Sequence, residues 1–399
     1  MHAPLPRPAV PSIGILVAVS MLQPIGINMF VPSIPGMRVA FGTDATTIQL
    51  TISLYLVATA IAMLVLGPLS DRFGRRPVLL TGLFCFALGS AAAALAESMT
   101  VLLAARAVQA VGASAGLALA RAIVRDVYDR ERSASVIGYV TMGMSVAPMV
   151  APVAGGVIDE LFGWRASFWL MGLFGIAVLL AALPWLPETH ATRGAAAGPR
   201  ALIASFGQLL RTRAFWIYTG TVALASAVFY AFIGGATHVA SAVLQLSPSV
   251  YGVYFILIAF GYLVGNYLSG RYAARLGLAT MINLGNLVAL VALAAGGALA
   301  ALHVLHPLAF FGPLLFVTLG TGLTLPSGMA GGVSVRPDLS GAAAGLMGST
   351  QVGLGALATV AVGQLFDAGL LPGTAWFVLI PMIVFAIAAC VVGLAAPRG

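Results

Sequence analysis

Three places in this sequence bring together residue types that can do work. The stretch Gly67-Pro-Leu-Ser-Asp-Arg-Phe-Gly-Arg-Arg-Pro77 sets one acid, Asp71, among Arg72, Arg75 and Arg76, between two long apolar runs. Such a cluster can form ion pairs that hold one arrangement of the chain and break in another. Arg106 stands inside an apolar run, three residues before Gln109. A charge deep in a bilayer costs about 2.5–3.5 kcal/mol on insertion scales, so Arg106 must face a cavity or a partner. Asn28, in the first apolar run, can hydrogen-bond a solute or Arg106 but cannot carry a proton. His238 titrates in a useful range, yet near the end of its run a lone histidine reads as a satisfied interfacial residue. His303 and His306 read as loop residues. Cys85 and Cys390 lie in apolar runs and read as inert fillers rather than a disulfide or a metal pair. No nucleophile–base set, phosphate loop or metal cluster is visible. The sequence therefore argues against an enzyme and implies no cofactor.

The elements that position these residues are spanning helices. Hydrophobic residues are 60% of the chain and charged residues 8%, against about 25% charged in a soluble domain. An apolar run of about 20 residues spans a bilayer as a helix. Twelve such segments stand at 12–36, 46–69, 77–96, 99–124, 133–161, 165–186, 213–241, 248–274, 278–302, 307–331, 339–366 and 373–396. The expected fold is an all-α membrane protein of twelve transmembrane helices.

All 19 basic residues are arginine. With even-numbered connections and both termini on one side, fifteen fall there: Arg7, Arg72, Arg75, Arg76, Arg125, Arg130, Arg132, Arg193, Arg200, Arg211, Arg213, Arg271, Arg275, Arg336 and Arg398. Arg38 and Arg165 fall on the other side, and Arg106 and Arg121 within the fourth helix. That bias sets both termini in the cytoplasm. It also accounts for the net charge of +8 without a nucleic-acid partner; anionic lipid headgroups suffice.

The first run is too long for a cleaved signal peptide and contains Gln23 and Asn28. Displaced by 199 residues, Leu69–Phe73 lies over Leu268–Tyr272 and Arg76 over Arg275; at 208, Val153–Asp159 resembles Ala361–Asp367. These echoes imply two pseudo-symmetric six-helix bundles, 1–186 and 213–399. Between them, 187–212, rich in Ala, Gly and Arg with Pro187 and Pro199, reads as a cytoplasmic linker. Parallel halves place a solute site at the bilayer midplane between them.

Gly67, Asp71, Arg72, Gly74, Arg75 and Arg76 resemble the signature loop between helices two and three of the major facilitator superfamily. Leu50–Pro77 and Ala120-Arg-Ala-Ile-Val-Arg-Asp-Val-Tyr128 resemble its drug-exporter branch, the Bcr/CflA family. The resemblance implies a bacterial inner-membrane exporter of small, largely apolar compounds, a monomer with a small-molecule substrate and protons as candidate coupling partner. It implies that Asp71 and its arginines, with Asp126, form a cytoplasmic gate. Residues 106–112 resemble the fourth-helix motif, in which Arg106 couples the site to helix one or is a structural arginine on helix-one carbonyls.

Met144–Gly156, with Pro148, Pro152, Gly155 and Gly156, resembles the antiporter motif but has Ala151-Pro152 where Gly-Pro is usual. It and Arg121 are assigned coupling or structural roles, chiefly close packing against helix eight. Related exporters read Ile-Asp-Met-Tyr-Leu-Pro in helix one, where this chain has Ile27-Asn28-Met29-Phe30-Val31-Pro32. Proton coupling would then need a carboxylate near a span end such as Asp126, His238, or a proton on the substrate itself. Otherwise the protein is a facilitator, or a transporter of a specific anionic or zwitterionic metabolite. The expected solute contacts are Asn28, Tyr55, Arg106 and Gln109 from the first half, and Phe229, Tyr230, Tyr254 and Tyr262 from the second. Tyr254 and Tyr262, eight apart, are expected on one helical face. Gln351 is a polar candidate for the same wall.

Overall fold

The structure, a computed structural model, describes residues 11–128, 136–137, 139–140, 143–144, 146–189, 199–336, 339–369 and 374–396. Arg7, Arg130, Arg132, Arg193, Arg398, Asp129, Glu131, Asp338 and Ser145 lie outside the described residues, as do the side chains of Arg125 and Arg200. The first half comprises α1 (Ile13–Asn28), a 3-10 turn (Val31–Ser33), α2 (Ile34–Phe41), α3 (Ala45–Phe73), α4 (Arg75–Ala94), α5 (Met99–Val127), α6 (Ala147–Phe162) and α7 (Trp164–Trp185). A connecting helix, α8 (Pro199–Leu210), leads to α9 (Arg213–His238), α10 (Pro248–Leu276), α11 (Leu278–Ala301), α12 (Pro307–Ser334), α13 (Ser340–Asp367) and α14 (Trp376–Leu394). Among the described residues, eleven helices are long and apolar enough to cross a membrane. The remaining sequence segment, 133–161, is described as continuous helix over Ala147–Phe162.

Two expectations about local structure are corrected. The stretch that resembles the signature loop, 67–77, is almost wholly helical: α3 runs through Pro68 to Phe73, and α4 begins at Arg75. Only Gly74 leaves the helical region, at φ 100°, where a Cβ would be strained. Asp71 therefore sits in the last turn of α3 rather than after it. The first span is not one helix either. It breaks after Asn28, since Pro32 and Pro35 supply no N–H to the carbonyls four residues before them.

The segment read as a linker contains α8, whose Leu209 is buried with Phe215, Tyr218 and Met347 of the second half. Gly277 repeats the geometry of Gly74 (φ 82°) between α10 and α11. These glycines stand 203 residues apart, not 199, so Arg275 matches Arg72 rather than Arg76. Gly82 on α4 and Gly285 on α11 keep the same spacing, and each faces a glycine of the next helix, Gly112 and Gly320. Small residues there let backbones approach without a side chain between them. Exposed apolar residues such as Leu88, Leu173, Leu287 and Val391 face outward on α4, α7, α11 and α14, as a lipid-facing rim requires.

Candidate functional site

Between the halves lies a cavity whose empty space, the solvent at its open mouth included, is about 1040 Å³. The first half contributes Gln23, Pro24, Ile27 and Asn28 from α1, and Met144 and Pro148 from in and before α6. The second contributes Phe229 and Tyr230 from α9, Phe255 and Tyr262 from α10, Thr321 from α12 and Gln351 from α13, among others. Asn28 is 4% exposed. Its Nδ2 donates to the Pro24 carbonyl at 2.8 Å, while its Oδ1 has no partner. Across the cavity, the buried Ser226 hydroxyl also lacks one.

Of the expected solute contacts, Asn28, Phe229, Tyr230 and Tyr262 border this space, and the others do not. Tyr254 stacks on Phe311 at 5.0 Å. Eight residues at 100° each leave it turned by about 80° from Tyr262, so the shared face is only partial. Arg106 and Tyr55 are fully buried behind α1. Arg106 donates to the Gly26 carbonyl at 2.8 Å, to the Thr51 carbonyl at 3.2 Å and to Gln109 Oε1. Its guanidinium lies 4.2 Å from the ring centres of both Phe30 and Tyr55. Gln109 is held in turn by Ser90 Oγ at 2.7 Å.

The break in α1 explains this geometry. A helix end leaves its last carbonyls without intrahelical donors. Met29 N takes that of Ile25, and Arg106 takes that of Gly26. Arg106 thus fixes the broken end of α1 two residues from Asn28 and acts as a positioning residue. Among its two sequence-based readings, the contacts fit the structural arginine.

At the arginine-rich end, Arg75 pairs with Asp71 and, through Nε at 3.0 Å, with Asp126. Its other contact is Ser70 Oγ at 2.5 Å. Arg76 donates to the Leu183 carbonyl at 2.7 Å, and Arg72 lies over Phe73. Residue-type reasoning missed Glu188, whose carboxylate caps α4 by accepting from Arg75 N (2.9 Å) and Arg76 N (3.4 Å). A Cβ on Gly74 would collide with that carboxylate. An acid just after a span and a proline offered no signal for such a long-range cap. Gly67, Asp71, Arg75 and Arg121 border a second opening of about 1050 Å³, whose other wall is Phe206 and Gly341–Gly345 of α8 and α13.

The opposite end is closed. Asp367, the last residue of α13, accepts from Ala45 N at 3.0 Å and Thr46 N at 2.6 Å, at the start of α3. Glu160, near the end of α6, accepts from Ser249 N at 3.0 Å, at the start of α10. Two acids of opposite halves therefore cap helix N-termini across the interface, where negative charge is stabilised. Gln49 of α3 donates to the Gly234 carbonyl of α9. A Cβ on Gly156 would strike the Pro248 carbonyl across the halves, and one on Gly155 the Met29 carbonyl within the first half. Pro152 packs against Gly252 of α10. Outside the spans, Asp44 caps α3 through Thr47 N at 2.6 Å, and hydrogen bonds from Thr47 hold its carboxyl below the usual range.

His238 is not interfacial: it is 4% exposed and packs against Phe366, ring centres 4.8 Å apart. Phe366, itself packed on Phe377, covers the imidazole, a burial that its place near a span end did not disclose. Cys85 and Cys390 are free and half-buried.

A model described as Major Facilitator Superfamily matches residues 16–360. A Pseudomonas aeruginosa protein named chloramphenicol resistance protein is 33% identical over 368 residues, 90% of this chain and 84% of its own. Multidrug resistance protein D of Escherichia coli (strain K12) is 29% identical over 348 residues, 87% of this chain and 86% of its own. Among solved structures, a bacterial homolog to the human lysosomal transporter Spinster, inward-facing and unoccupied, matches at a TM-score of 0.75 with 18% identity, covering 96% of each chain. The family match runs through both halves and both walls of the cavity, and so this chain belongs to the major facilitator superfamily, as a multi-pass membrane transporter and not an enzyme.

Proposed function

We propose that the protein exports small, largely apolar solutes, antibiotics among them, across a bacterial inner membrane. One observation carries the reading: a cavity shared by both halves, lined by aromatic rings and a few uncharged polar groups. Apolar pockets with sparse polar groups suit such ligands. The relatives named for drug resistance support the direction. The halves work by alternating access. One end is clasped by the helix caps of Asp367 and Glu160 while the other opens beside Asp71 and Arg75. Rocking would release the clasp and close the opening, with Asp71, Arg72, Arg75, Arg76 and Asp126 as its gate. The arginine-rich end and both termini face the cytoplasm, and the protein acts as a monomer.

Asn28 removes the helix-one route for a proton. Asp126 is engaged by Arg75, which leaves His238 as a buried titratable group on the second half. The deciding experiment is uptake of labelled chloramphenicol into liposomes holding the purified protein, with and without an imposed pH gradient. Flux above protein-free liposomes supports the reading. Its dependence on the gradient assigns antiport, and its indifference assigns facilitation. Flux no greater than in empty liposomes, across a panel of drugs, overturns it.

A further inference from the structure

We propose that the cavity selects electrically neutral solutes bearing an N–H or O–H donor and rejects lipophilic cations, with Asn28 as the determinant. This rests on the export reading and names the substrate class of that site.

Two polar groups of residues bordering the cavity have no partner. Asn28 borders the cavity with one amide N–H held by the Pro24 carbonyl and with its buried acceptor oxygen left without a partner. Ser226 borders it from the opposite half, with a buried hydroxyl that also lacks a partner. A buried acceptor without a partner is unfavourable, and a solute donor placed there relieves it. Around these groups stand the rings of Phe229, Tyr230, Phe255 and Tyr262, which suit an aromatic or apolar body.

Charge decides what is refused. Among the described residues bordering the cavity none is acidic or basic. A cation entering it would lose its water and find no carboxylate in exchange. The aromatic faces offer cation–π attraction, which recovers only part of that lost hydration. Arg106 has no carboxylate partner among the described residues, and its guanidinium binds the carbonyl of Gly26, two residues from Asn28. An anion finds no counter-charge at the cavity either, because Arg106 is wholly buried between Phe30 and Tyr55 and does not border it. The neutral donor-bearing solute is what remains.

The test compares two aromatic probes that both carry donors, neutral chloramphenicol and the permanent cation ethidium, for binding to and transport by the purified full-length protein. Wild type is expected to bind ethidium at least about 30-fold more weakly than chloramphenicol. Asn28→Asp should raise ethidium affinity about tenfold or more and lower that for chloramphenicol, by supplying the missing carboxylate. Ser226→Ala should weaken chloramphenicol binding about threefold with no gain for ethidium. Wild type binding both probes equally, or a folded Asn28→Asp with unchanged ethidium affinity, overturns the proposal. The wild-type comparison stands by itself should the aspartate variant not fold. Ethidium moved while chloramphenicol is not refutes this selectivity and leaves export intact. Neither probe moved, nor any other drug of the panel, refutes both.

Discussion

Arg106 illustrates what a residue can and cannot disclose by its type. A lone arginine in an apolar run must have partners, and that much is plain from the sequence. Those partners are main-chain oxygens of Gly26 and Thr51 together with Gln109. Carbonyls belong to every residue, so nothing in the letters marks these. Asn28 was legible in the same partial way. Its polarity in the first span suggested a solute contact, while its single free acceptor emerges only from the Pro24 bond. Arg106→Lys is expected to lose the planar fork that reaches three acceptors at once. It should lower stability by about 2–3 kcal/mol through stranded buried acceptors, read as a fall in the midpoint of thermal unfolding in detergent. An unchanged midpoint would mean that Arg106 does not hold the end of α1. The rings of Phe30 and Tyr55 give lysine a cation–π contact but no fork.

The helices were read well as objects and less well at their ends. Gly67-Pro68 signals a turn, yet α3 continues past it, because a proline near the last turns removes a bond that other groups replace. The caps that close the far end were hidden for a different reason: a carboxylate at one helix end says nothing about which helix start it meets. Asp367→Asn should weaken the clasp on α3 by about 1 kcal/mol or more, since a charge-assisted bond becomes a neutral one. Spin labels on Val39 and Leu305, both exposed at that end, should then show a longer separation gaining population about fivefold or more. An unchanged distance distribution would show that Asp367 does not hold this state. Two adjacent glycines separate gating from folding. Gly156→Ala meets the Pro248 carbonyl of the other half, and Gly155→Ala the Met29 carbonyl of its own. The first is expected to shift the same distance distribution with little loss of unfolding temperature, the second to lower that temperature. Equal effects of both would contradict the assignment of Gly156 to the interface.

For the molecule as a whole, the twofold repeat was visible in the sequence but misaligned. The Leu-Ser echo favoured 199 residues, whereas the glycine turns fix 203. In that register Ala274 and Leu278 stand where the first half has Asp71 and Arg75. Among the described residues the Asp71–Arg75 pair is thus present once, not twice, and the halves share architecture without sharing its electrostatics. Orientation is open to a direct check in a variant lacking Cys85 and Cys390. A cysteine replacing the exposed Phe162 should react with an impermeant maleimide on intact cells, and one replacing the exposed Phe73 only after the membrane is opened. The reverse pattern would invert the topology. The grip of Arg106 has one more consequence, for biosynthesis. The guanidinium on α5 is held by carbonyls of α1 and α3, which leave the ribosome first. Those earlier segments must therefore linger beside the insertion machinery until α5 arrives, and a nascent chain released before then would spill α5 back toward water.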